Sequence, residues 1–188
     1  MTRVRAFSVV FLGLVLATLC AAPLLPTVPH SIAAARVLSY VTSEGHMNTV
    51  LTLPVHVAQA PSNSSMETAM LALLNRSRAE AGRSVLLPNT TLTAVARVHG
   101  VDMFAFGYLS HRSRDGRTPW DRVTAAGVRP HIVGENLAFA PDVQEANTLL
   151  LESPGHRRNM LSTEYHRVGI GVVDGGDRGV IVVEDFTN

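Results

Sequence analysis

The chain has 188 residues, 46% of them hydrophobic, with 16 basic residues against 15 acids and a net charge of +1. The basic residues are all arginine and are scattered among the acids, which excludes a nucleic-acid footprint. Its single cysteine, Cys20, excludes a disulfide-stapled scaffold, so the fold must rest on an ordinary hydrophobic core, which about 120 residues suffice to bury.

Met1-Thr2-Arg3-Val4-Arg5 precedes a nearly unbroken apolar run from Val9 to Leu25, the layout of an export signal. The run has no polar face at helical spacing, and its length of about 17 residues sits at the lower edge of what spans a bilayer. Cleavage near Ala33-Ala34-Ala35 and retention as an anchor both stay open. Residues 1–35 are therefore read as a signal peptide or N-terminal membrane anchor, and the rest as secreted or held at the cell envelope. Leu19 stands before Cys20 where a lipoprotein signal wants a small residue, so Cys20 is read as a plain signal-segment cysteine. Residues 36–65, with Pro54 and Pro61 among Ser, Thr and Asn, read as a linker, in which Val50-Leu51-Thr52-Leu53 is a candidate edge strand.

Order is expected from residue 66 to 188. Ser64-Ser65-Met66-Glu67 has capping-box spacing and opens an amphipathic helix that ends at Gly82. A second helix runs from about Thr91 to Phe106, with Leu92, Val95, Ala96, His99, Met103 and Phe106 on one face and Gly107 as its stop. Thr118-Pro119-Trp120-Asp121 supplies a cap and a proline for a short third helix ending near Gly127. A strand around Ile132 to Phe139 is followed by a fourth helix over Asp142–Glu152, with Val143, Ala146, Leu149 and Leu150 inward. Ser153-Pro154 breaks that helix and caps a short one through His156 to Leu161. Val168–Val173 and Gly179–Phe186 then form a hairpin across Asp174-Gly175-Gly176-Asp177. These elements give an α+β domain, a small sheet covered by helices.

Three positions place an ionisable side chain beside glycine, serine or proline, where it escapes the packed core. They are Ser110-His111, Gly134-Glu135-Asn136 and Ser153-Pro154-Gly155-His156. Two imidazoles and a carboxylate suit a divalent ion such as zinc with an open fourth position, and equally suit acid/base work without metal. The tight His-Glu-x-x-His pattern is absent, and polar residues that merely fix loops are the bland alternative. His99, on an apolar helix face, is read as a satisfied core histidine. His131 and His166 flank strands and are read as exposed. Ser110 lacks the nucleophile-elbow surroundings of a serine hydrolase, and Asp174–Asp177 lacks the ligand spacing of a calcium loop.

Taken in order, Leu73-Leu74-Asn75-Arg76-Ser77-Arg78, Ala96-x-x-His99-x-x-Asp102-Met103, Ser110-His111, Gly127, Gly134-Glu135-Asn136-Leu137, Ser153 to Leu161, Gly169-Ile170-Gly171 and Asp185-Phe186 resemble the CAP superfamily (SCP/PR-1-like domain) in its bacterial form. The resemblance covers about Met70 to Phe186. It implies a three-layer α-β-α sandwich with a small central antiparallel sheet and a cleft where His111, Glu135 and His156 converge. In some members that cleft is reported to hold a divalent metal. A second cleft acid common in animal members has no match: Ser153 falls nearest, beside Glu152. The tryptophan usual in bacterial members is replaced by leucine at Leu150 or Leu151, and Glu184 stands where a glutamine is common.

The resemblance and the export signal together imply a binding module for an extracellular ligand, a lipid or another cell-envelope component, with no nucleic-acid partner and with membrane association through the N-terminus. Two alternatives stand beside it. One is a metal-assisted hydrolase acting on peptide or cell-wall material, with His111 and His156 on the ion and Glu135 as ligand or base. The other is a structural surface protein.

Overall fold

The computed structural model describes residues 50–188. The expected export segment and the first part of the linker lie outside them. Residues 50–63 run along the domain: β1 (Leu51–Thr52) pairs antiparallel with β3 (Tyr108–Leu109), Leu53 and Ala60 are buried, and Ser62 bridges to Val173. The candidate edge strand is thus formed, though only two residues long.

Helix α1 (Ser64–Glu80) begins where expected, but its cap is Asn63, whose side chain accepts from the Met66 amide. The Ser64–Glu67 box does not form because Glu67 is drawn inward by Arg97, whose Nε donates to it at 2.7 Å. Strand β2 (Leu87–Pro88) follows, then α2 (Thr90–Phe106), capped by Asn89 and closed by Gly107. Gly107 has φ 66, the left-handed turn that ends a helix at little cost only with glycine. Phe106, expected on the inward face, is instead 57% exposed, with the Arg114 guanidinium 3.5 Å over its ring. Helix α3 (Pro119–Ala125) carries the full Thr118–Asp121 capping box with proline at its start, and its Trp120 is 45% exposed. Strand β4 (Val133–Ala140), α4 (Val143–Glu152), α5 (Pro154–Leu161), β5 (Arg167–Asp174) and β6 (Val180–Thr187) complete the chain, with a single 3-10 turn over Gly176–Arg178 joining the last two strands.

The main sheet has the order β2-β5-β6-β4. Its three long strands pair antiparallel, as expected, while the two-residue β2 adds a parallel edge. Side chains alternate across the pleat. Ala138, Ala140, Ile170, Val172, Val182 and Phe186 face α1, α4 and α5, where Met70, Leu74, Ala146, Leu150 and Met160 complete one core. Leu137, Phe139, Val173, Ile181 and Val183 face α2 on the other side. This is the three-layer α-β-α sandwich. Helix α2 lies unusually close to β5, since a Cβ on Gly171 would stand 2.6 Å from the main chain of Ala96 and Arg97. The Gly169-Ile170-Gly171 pattern is therefore a seat for a helix backbone.

Candidate functional site

Strand β4 is an edge strand, yet all eight of its residues are buried, so something must cover the polar side chains at its start. Glu135 lies directly across the ladder from Asp185, and Asn136 from Glu184. By alternation the first pair faces α2 and α3, and the second faces the α1, α4 and α5 layer.

On the first face, His111 emerges immediately after β3 and sets its Nδ1 2.7 Å from Glu135 Oε1. The other carboxylate oxygen accepts from Arg122 Nη2. Arg122 is one of three inward residues of α3, with Pro119 and Val123. Its Nη1 also donates to the His111 carbonyl at 2.8 Å, to Ser113 Oγ at 3.1 Å and to the Arg117 carbonyl at 3.2 Å. One guanidinium thus fastens the loop after β3, its own helix and the edge strand together. Burial by itself raises the Glu135 carboxyl, but the Arg122 charge and the His111 bond outweigh it and hold the group below the usual carboxylate range. Asp185 moves the opposite way: burial, then the neighbouring Glu135 charge, push it well above its ordinary value. His99 is buried, its Nε2 lies 2.8 Å from the Ser110 carbonyl, and burial lowers it to about 4. The core-histidine reading is met.

On the second face, Asn136 Nδ2 donates to Glu184 Oε2 at 2.9 Å and to the His156 carbonyl at 3.2 Å. Asn159 Nδ2 donates to Asn136 Oδ1 at 3.0 Å and to the Glu135 carbonyl at 3.3 Å. These bonds dock α5 on the start of β4. The His156 ring is placed by its Nδ1, 2.9 Å from Ser153 Oγ, the residue that precedes the helix. Burial pushes Glu184 up to about 7 against the bond from Asn136.

The expected trio is therefore assembled unevenly. His111 and Glu135 are in direct contact, whereas His156 joins through Asn136, Asn159 and its own helix cap. Glu135 as a direct ligand of a divalent ion does not fit this geometry; its contact with His111 Nδ1 is that of a carboxylate that orients an imidazole from behind. Both oxygens of Glu135 are engaged, one by His111 and one by a guanidinium that already supplies the positive charge. Among the described residues no group of three His, Cys, Asp or Glu side chains is placed to hold a metal. Ser110 Oγ accepts from the Arg112 amide and takes no triad position. His131 and His166 are exposed, and Asp174 accepts from the Gly176 amide as a turn residue. Sequence reasoning missed Arg122, whose inward placement depends on the phase of a seven-residue helix, and the role of Asp185, which only the register of β4 on β6 sets against Glu135.

Residues 71–186 match the profile of CAP, the cysteine-rich secretory protein family. The uncharacterized protein YkwD of Bacillus subtilis is 31% identical over 119 residues, which is 62% of this chain and 46% of that protein. The uncharacterized membrane protein YlbC of the same organism is 32% identical over 110 residues, 58% of this chain and 32% of its own length. The matched part is thus less than half the length of either relative. Among solved structures, an extracellular SCP-domain protein from Bacillus anthracis superposes with a TM-score of 0.61 at 27% identity, covering 66% of this chain and 41% of that one. An outer surface protein from Borrelia burgdorferi gives a TM-score of 0.64 over 69% of this chain and 98% of its own, and at 18% identity that likeness is one of fold alone.

Proposed function

The chain belongs to the CAP family, and from that premise we propose that it works outside the cytoplasm, secreted or at the cell envelope, as a binding module for an extracellular ligand, a lipid or another envelope component. The expected export segment supports the location, as does a similar solved structure described as an extracellular protein. The observation that carries the binding reading is the state of Glu135. A general base works best with a pKa near the operating pH. Glu135 is held low, with both oxygens taken, so it serves as a fixed anchor that orients His111. The hydrolase alternative, which gives this carboxylate the part of ligand or base, would first have to free one of its oxygens from His111 or Arg122. His111, Glu135 and His156 are proposed as polar groups of the binding cleft, with Arg122 holding the first two in place.

Native mass spectrometry of the full chain purified from its own culture tests this. The expected result is a non-covalent cargo that His111→Ala loses even well below its own melting transition, which the loss of the buried Glu135 contact lowers. Cargo-free protein that also shows no melting shift with envelope extract would sink the binding reading. The structural reading is favoured by one observation, that Arg122 spends its bonds on the loop after β3. It predicts that His111→Ala lowers the melting temperature and leaves the cargo unchanged.

A further inference from the structure

On the far side of α5 from β4, a groove of about 540 Å³ is walled by Arg83, Arg157 and Arg158, with Ser162 and Thr163 along it and Glu164 as its one acid. Among the described residues the salt bridges are those of Arg97, Arg117, Arg122 and His111, and none involves Arg83, Arg157 or Arg158.

The groove is also held in shape from beneath. Arg78, 1% exposed, donates through Nε to the Ser84 carbonyl at 2.7 Å and through Nη1 to the carbonyls of Met160 and Ser162 at 2.6 and 2.9 Å. It thereby ties the loop that carries Arg83 to the end of the helix that carries Arg157 and Arg158. Its own partners are main-chain carbonyls, so it adds a further positive charge and neutralises none. Burial, and then the nearby Arg83 charge, work against its protonated form.

We propose that this groove binds a linear polymer of phosphate groups along Arg83, Arg157 and Arg158. Guanidinium forks pair with tetrahedral oxyanions through parallel bonds, and the hydroxyls of Ser162 and Thr163 suit an anion with more oxygens than a carboxylate offers. Successive residues on a helix diverge by about 100°, so Arg157 and Arg158 leave α5 in different directions and only a ligand with several anionic groups reaches both together with Arg83. The lining holds no aromatic ring, so nothing there stacks on a base, and recognition rests on the phosphates. The proposal is independent of the His111–Glu135 reading.

Calorimetric titration of the full chain with short-chain sodium polyphosphate at low salt tests it. The expected result is saturable binding that weakens steeply with added salt and falls by about tenfold or more in the Arg157→Ala/Arg158→Ala double variant. Both residues are exposed, so the variant should fold, and exposed Arg129→Ala serves as the control that leaves binding unchanged. Absence of binding, or equal binding by the double variant, overturns the proposal. Polyglutamate binding as tightly as polyphosphate overturns the phosphate preference. Attachment to phosphatidylglycerol vesicles that soluble polyphosphate fails to displace would assign the arginines to a membrane surface instead.

Discussion

Glu135 and Glu184 lie on neighbouring paired strands, both with no exposed surface, and they behave in opposite ways. Glu135 faces the α2 and α3 layer, where Arg122 and His111 take its two oxygens and keep it ionised. Glu184 faces the α5 layer, where an amide is its hydrogen-bond partner and burial carries it up to about 7. Equal depth in the same sheet thus gives an anion on one face and a group poised between its two forms on the other. Burial sets the size of the penalty, and the presence of a cation decides its outcome.

The most severe way to break that contrast is to remove the cation. Arg122→Met leaves Glu135 buried without its counter-charge and should cost about 3–5 kcal/mol in urea denaturation at neutral pH, much of it restored when Glu135→Gln is added. A loss under about 1 kcal/mol would mean that Glu135 is not held as an anion by Arg122. The two faces also differ in how closely helices approach. Gly171→Ala drives a methyl group into the α2 backbone and should cost about 1–3 kcal/mol, whereas Ile170→Val, facing the other layer, should cost about 0.5–1.5 kcal/mol. Equal costs would show that the close seat of α2 yields easily.

The sharpest test uses pH. The raised pKa of Glu184 means that the folded chain binds its proton more tightly than the unfolded chain. Its stabilising contribution is therefore full below the ordinary value of 4.5 and is lost as pH rises through about 7. Glu184→Gln cannot ionise, so its melting temperature should match the parent in acid and exceed it above neutrality. Glu135, held low, has the opposite sign: its contribution is present above the ordinary carboxylate value and lost as pH falls below it. A Glu184→Gln curve parallel to the parent at all pH values would remove the contrast. The smallest effect belongs to Arg117→Ala. Its ion pair with Asp115 joins side chains 50% and 53% exposed, so the melting temperature should match the parent's.

Most of this fold was legible before any coordinates, because the signals that mark its elements are local. Thr118-Pro119, Ser153-Pro154, Gly107 and the glycine-rich turn after Asp174 act through φ restriction, missing donors and positive φ, which a neighbour three strands away does not alter. The failures lie where a distant partner intervenes. Glu67 left its capping role for Arg97, and Phe106 faces outward with Arg114 over its ring. The two-residue strands β1, β2 and β3 carry too few residues for any periodicity, and exist only because their partners are already in place. The candidate site divides in the same way. His111, Glu135 and His156 stood out by residue type and by resemblance, but the side chain that determines the charge state of Glu135 sits inside α3 with no motif around it.

Helix α3 also carries Trp120, the one tryptophan of the chain, within two residues of Arg122. The ultraviolet emission of this protein is therefore a signal from a single, half-exposed helix and carries little information about the core. Emission and far-ultraviolet dichroism will coincide during melting only while α3 stays clamped to Glu135. An emission change that runs ahead of the dichroism would time the release of the clamp separately from the loss of the sheet.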